Sequence, residues 1–165
     1  MKLSQLFVKK LNPAQNLYEA IVAAARQPKF YQDWLVPDNV DGRFDMIVLH
    51  VFLVLDRLKD DTTNMRQELT NAFFNDMDRS LREMGVGDLS VGKKVRKMAE
   101  AFHGRVRAYV LAKEQGNLVE ALQRNVYAAD EKADARELAT WMGKAQNILA
   151  ATATQDILIA KLNFS

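Results

Sequence analysis

An all-α fold is what this sequence predicts: one domain of six or seven helices packed around a nearly all-apolar central helix at about Arg43 to Lys59. Three observations carry that expectation. Apolar residues recur at the three-and-four spacing of a helix through most of the chain, and no stretch of useful length alternates as a half-buried strand would. Asn-Pro, Gly-Asn and Asp-Gly pairs fall where helices should begin or end. The 165 residues, 48% hydrophobic and 27% charged, contain no repeat and no low-complexity linker. A chain of that length buries roughly 70% of its unfolded surface as one ordinary domain.

In chain order, Asn12 is placed as the first N-cap with Pro13 at the first helical position, and an alanine-rich run to Arg26 stops before Pro28. Lys29 to Trp34 is aromatic-rich and runs into Val-Pro-Asp and Asp41-Gly42, so a short helical turn is expected, with its rings plugging a core edge. From Arg43 to Lys59 apolar side chains occupy nearly every side, the pattern of a helix surrounded by others. Its most apolar run, Met46 to Leu55, is about half the ~20 residues a bilayer span requires, which makes it core.

Asp60, Asp61, Thr62 and Thr63 compete to cap a helix running to Met84, with Leu69, Phe73, Met77, Leu81 and Met84 along one face. On the polar face Asp76 with Arg79, and Asp78 with Arg82, stand at helical pair spacings. The turn GVGDLSVG leads to a helix capped by Asp88 or Ser90. Its Val91, Val95, Met98, Ala99, Phe102, Val106 and Tyr109 lie within about 100°, and Lys93, Arg96, Lys97 and Arg107 lie on the reverse side. Gly116-Asn117 breaks the chain before a short helix to Tyr127. Asp134 starts a long helix holding Leu138, Trp141, Met142, Ala145, Ile148 and Leu149, with the tail TQDILIAKLNFS able to continue it.

Positive charge is concentrated in one place. Between Gly85 and Arg107, Lys93, Lys94, Arg96, Lys97, Arg105 and Arg107 stand against Asp88 and Glu100, a local balance of +4 in a chain of +2. Such a patch suits an anionic partner, and a solvated helix face is the plain alternative. Catalytic grammar is missing. Without cysteine there is no disulfide, thiolate metal site or thiol nucleophile, in keeping with a reducing compartment. Glu100 and His103 have the Glu-x-x-His spacing of a carboxylate-bridged di-iron site. The second such motif is missing, the only other histidine is His50, and Glu100 falls on the cationic side, so no metal is expected. DDTTN at Asp60 to Asn64 reads as a helix start rather than a magnesium-diphosphate site. His50, amid apolar residues, reads as a core histidine satisfied by one hydrogen bond rather than a general base.

No phosphate loop or serine elbow appears, so neither enzymatic activity nor a cofactor is expected. The glycine turn is too long for a helix-turn-helix and the total charge is modest for a duplex binder, which argues against DNA. The stretch MKLSQLFVKKLNPAQ is a poor secretory signal, so a cytoplasmic protein is expected, at most peripheral at the inner membrane face.

Two separated segments go further. Phe30 to Leu58 (FYQDWLVPDNVDGRFDMIVLHVFLVLDRL) and Leu69 to Tyr109 (LTNAFFNDMDRSLREMGVGDLSVGKKVRKMAEAFHGRVRAY) resemble, in order and spacing, the ubiquinol-cytochrome c chaperone family. The resemblance is strongest over residues 30–110, and the first and last forty residues share only helical character. It implies a non-enzymatic assembly chaperone that binds newly made cytochrome b. Mitochondrial relatives act beside a small partner subunit at the ribosome exit; no mitochondrial targeting region is expected here, so a bacterial member is the expectation and that subunit stays open. Carried onto this sequence, Arg43, Asp45 and His50 are matched-segment residues, structural or partner-shaping. Asp76, Arg79, Arg82, Lys93, Lys94, Arg96 and Lys97 are interface candidates for the client, a ribosome or an anionic membrane surface. Two other readings stay open, a lipid- or quinone-handling helical protein and an RNA-associated module. A closed apolar cavity would favour the first of these, and an exposed apolar groove beside the basic helix would favour the chaperone.

Overall fold

The structure is a computed structural model that describes residues 12–128, 130 and 132–165. The poor-signal reading of the first residues therefore lies largely outside the described part. The chain is all-helical, with eight helical segments and no strand among the described residues. They are α1 (Pro13–Ala25), α2 (Pro28–Gln32), α3 (Val40–Arg57), α4 (Met65–Glu83), α5 (Asp88–Gln115), α6 (Leu118–Asn125), α7 (Arg136–Ala151) and α8 (Thr154–Leu158).

The central helix is where the sequence puts it. Every residue of α3 from Asp45 to Leu55 is buried, because α1, α5 and α7 cover it from three sides. An amphipathic helix buries one stripe, whereas this stretch of α3 is buried all round. Asn39 caps its first turn, its side chain accepting from the Gly42 amide at 2.8 Å. Gly42 is required there, since a Cβ would stand 1.9 Å from the Pro37 carbonyl oxygen. Around this core α4 packs on α1 and α5, α6 on α5 and α7, and α8 on α1.

Asn12 caps α1 through the Ala14 amide at 3.0 Å, with Pro13 leading the helix, as its sequence indicates. Three local expectations shift. Helix α5 is capped by Gly87 in extended conformation and not by Asp88 or Ser90, which lie inside its first turn. Asn64 starts α4, and the Thr63 hydroxyl reaches the Met65 amide at 3.2 Å. The tail does not continue α7. Thr152 is extended at ψ 133 and the chain restarts as α8. The cause is distant in sequence: Arg57, at the end of α3, donates from Nε to the Leu149 carbonyl at 2.8 Å and from Nη2 to the Thr152 carbonyl at 2.8 Å and Thr154 Oγ1 at 3.1 Å. One guanidinium satisfies the carbonyls a helix end leaves open and fixes where the next helix begins.

Candidate functional site

The residues singled out in the sequence fall into three places. Asp45 is 4% exposed on the α3 face toward α5, and its Oδ1 lies 2.6 Å from Arg105 Nε as an ion pair without a well-aligned hydrogen bond. Arg105 also lies over the Phe44 ring at 5.4 Å, and the buried Tyr109 hydroxyl shares this neighbourhood without a hydrogen-bond partner among the described residues. Burial pushes the Asp45 carboxyl up to about 6, and Arg105 only partly offsets it. This cluster ties α3 to α5. It also removes Arg105 from the outward cationic patch in which its sequence position would count it.

His50 is fully buried in an aromatic cage, with Phe30, Trp141 and Phe164 at centroid distances of 5.4, 5.0 and 4.9 Å. Its Nδ1 lies 2.7 Å from the Met46 carbonyl, which can only accept, so Nδ1 carries the proton and Nε2 has no partner among the described residues. Burial lowers its pKa to about 4, the Met46 bond acting weakly in the other direction. A neutral, sealed imidazole is a core element. Neither Asp45 nor His50 can touch a partner while the fold is closed, so of the two roles the sequence offered, burial supports the structural one. Arg43 is exposed and pairs with Asp38 at 2.8 Å beside a shallow cleft formed with Arg26, Tyr31 and Gln32.

The third place is the α4–α5 hairpin. Asp76 pairs with Arg79 and also accepts from the Tyr18 hydroxyl at 2.8 Å, a tie from α4 to α1 with no spacing signal in the sequence. Burial, and then the Asp76 carboxylate, raise the Tyr18 pKa. Arg82 pairs with Asp78 at 2.7 Å and with Asp88, closing the turn. Lys93, Lys94, Arg96 and Lys97 are exposed and form no ion pair among the described residues. Lys93, Arg96 and Lys97 share the outward face with Arg107, interrupted by the carboxylate of Glu100. His103 is exposed as well, 6.4 Å from the Phe74 ring, and no cluster of metal-ligating side chains occurs among the described residues.

What the sequence did not reveal is an open apolar cleft of about 550 Å³ between α3 and the second half of α5. Phe52, Leu55, Val106 and Val110 form its walls, and Asp56, Lys59, Arg66, Lys113 and Glu114 form its rim. The Lys113 ammonium closes one rim position on Asp56 at 2.7 Å. The only sequence signal was Val110, which falls just outside the apolar arc of α5 and is left 38% exposed. No described helix is long and apolar enough to cross a membrane.

Known proteins bear on this arrangement. Residues 32–164 match the family model described as ubiquinol-cytochrome C chaperone, so the match extends through the C-terminal forty residues. Among solved structures the chain is similar to the crystal structure of the Cbp3 homolog from Brucella abortus, at 35% identity and a TM-score of 0.82, covering 93% of this chain and 88% of that one. No curated protein matches the chain.

Proposed function

Because this chain belongs to the ubiquinol-cytochrome C chaperone family, we propose that it binds newly made cytochrome b and holds it for assembly into the ubiquinol:cytochrome c reductase. It does so by binding rather than by catalysis. The observation that supports this most is the open apolar cleft beside the basic helix. A nascent membrane protein presents apolar helix faces before it has a bilayer or partner subunits to cover them. Exposed Val110 and half-buried Val106, over a floor of buried Phe52 and Leu55, offer such a face a trough to lie in. The charged rim, with both signs present, fixes the register of the client without adding much affinity. Burial of an apolar segment there contributes roughly 25 cal/mol per Å² before the cost of ordering the client, which suits a grip that must later release.

The trough is partly open to solvent, which favours a docking surface over the closed chamber a lipid- or quinone-handling protein needs. The cationic face of α5 meets an anionic surface while the client is held. Deleting the gene tests the role: loss of assembled reductase with other respiratory complexes intact is expected, and normal reductase in the deletion strain contradicts it.

A further inference from the structure

The α4–α5 hairpin reaches beyond the core it grows from. The main cluster of buried apolar side chains includes Met77 of α4 and Phe102 of α5 but neither Leu81 nor Val91, which are buried farther out along the same two helices. Past them the chain turns through Gly85, at φ +84, and Gly87, and presents Met84 at 58% exposure and Leu89 fully exposed. Single exposed apolar residues are ordinary; two at the end of a projecting hairpin, backed by cations, are a pattern.

The charges around that end are sorted. Arg79 is taken by Asp76 and Arg82 by Asp78 and Asp88, so the α4 side is balanced apart from the exposed Glu83. On α5, Lys93, Arg96 and Lys97 follow Leu89 by one to two turns on the same outward face, with Lys94 on the flank. At 1.5 Å per residue the cations sit about 6 to 12 Å behind Leu89, and their long side chains bend toward either end of that interval.

We propose that the hairpin end docks on an anionic lipid bilayer, Met84 and Leu89 entering the boundary between headgroups and acyl chains while Lys93, Arg96 and Lys97 hold lipid phosphates. An apolar end with cations one headgroup layer behind it matches the depth profile of a bilayer surface. RNA shares the phosphate chemistry but gains nothing from Met84 and Leu89. It is usually gripped by stacking on aromatic rings, and no aromatic residue lies between Phe74 and Phe102. The inference deepens the assignment of an anionic partner to this face, and because vesicles alone test it, it stands or falls apart from client binding.

The test is flotation of the purified chain with vesicles of phosphatidylcholine alone and of phosphatidylcholine mixed with phosphatidylglycerol. Binding only to the anionic vesicles, weakened by salt, is expected. The variant K93Q/R96Q/K97Q should lose about a hundredfold in affinity. M84S/L89S, altered only at exposed positions, should lose about tenfold or more. Since the chain has no cysteine, an environment-sensitive dye on L89C reports the insertion directly by a blue shift with anionic vesicles. Vesicle binding that ignores M84S/L89S, a dye that shifts on self-association without vesicles, or retention on RNA in place of vesicles would each overturn the proposal.

Discussion

Replacing Gly42 by alanine separates local helix preference from tertiary fit, because the two act in opposite directions. Alanine is a better helix former by about 1 kcal/mol. At position 42, however, the new Cβ stands 1.9 Å from the Pro37 carbonyl oxygen and 2.9 Å from its carbon, backbone atoms that cannot rotate aside. Ordinary contacts begin near ~3.5 Å, so the Pro37 segment must retreat by more than about 1 Å. That segment carries Val36, 2% exposed, and leads directly to Asn39, whose side chain caps α3 through the Gly42 amide. Losing the cap costs about 1 kcal/mol and partly uncovering Val36 another 1 to 2. Set against the helix gain, G42A should lose about 1 to 2 kcal/mol, a fall in Tm of roughly 2–8 °C for a chain this size. Gly92 supplies the control: within α5, with no atom within 4 Å of a built Cβ, G92A should gain about 0.5 to 1 kcal/mol. Urea unfolding followed by Trp34 and Trp141 reads both, since Trp34 adjoins the Pro37 segment and both rings pack on Phe30. Should G42A prove as stable as the parent, the close approach at Pro37 does not govern the start of α3.

Further expectations concern the buried charges, the tail and the basic face. His50, lowered to about 4 from an ordinary 6.5, adds stability that is lost as pH falls through that interval. Asp45, raised to about 6 from 3.8, opposes folding above 6 and relents on acidification through the same window. Each is worth on the order of 3 kcal/mol, so they largely cancel in the parent. The variant D45N should lose stability between pH 7 and 4 by about that much more than the parent, and H50Q should trend the opposite way; parallel pH profiles for the three proteins would refute the assignment. R57A removes three hydrogen bonds at the α7–α8 junction and should cost about 2 to 3 kcal/mol, with faster amide exchange in residues 152–158. Truncation before Phe164 uncovers His50, so the imidazole pKa followed by NMR should climb toward its ordinary value. Reversing Lys93, Lys94 and Lys97 to glutamate should lower cytochrome b accumulation while the circular dichroism stays helical.

Local signals were legible and distant ones were not. Asn12-Pro13, the all-round apolar character of Met46 to Leu55 and the stop at Gly116, which takes φ +72, all express constraints that act within a few residues. Asp45 with Arg105, Tyr18 with Asp76 and Arg57 with Leu149 are partners that no spacing announces, because each is separated by intervening helices. That is why the sequence alone overstates the outward cationic patch by Arg105 and allows the tail to extend α7. The cleft was hidden for a related reason: an apolar wall open to solvent and an apolar wall buried under a helix have the same periodicity, and only the packing of α3 against α5 shows that Val106 and Val110 border open space.

The central claim, that the α3–α5 cleft receives the client, is tested most directly by a photocrosslinking residue placed at Val110 in cells assembling the reductase. Newly made cytochrome b should be captured from Val110 and not from Glu137, exposed on α7 outside the cleft. Capture from Glu137 with none from Val110 would contradict the account.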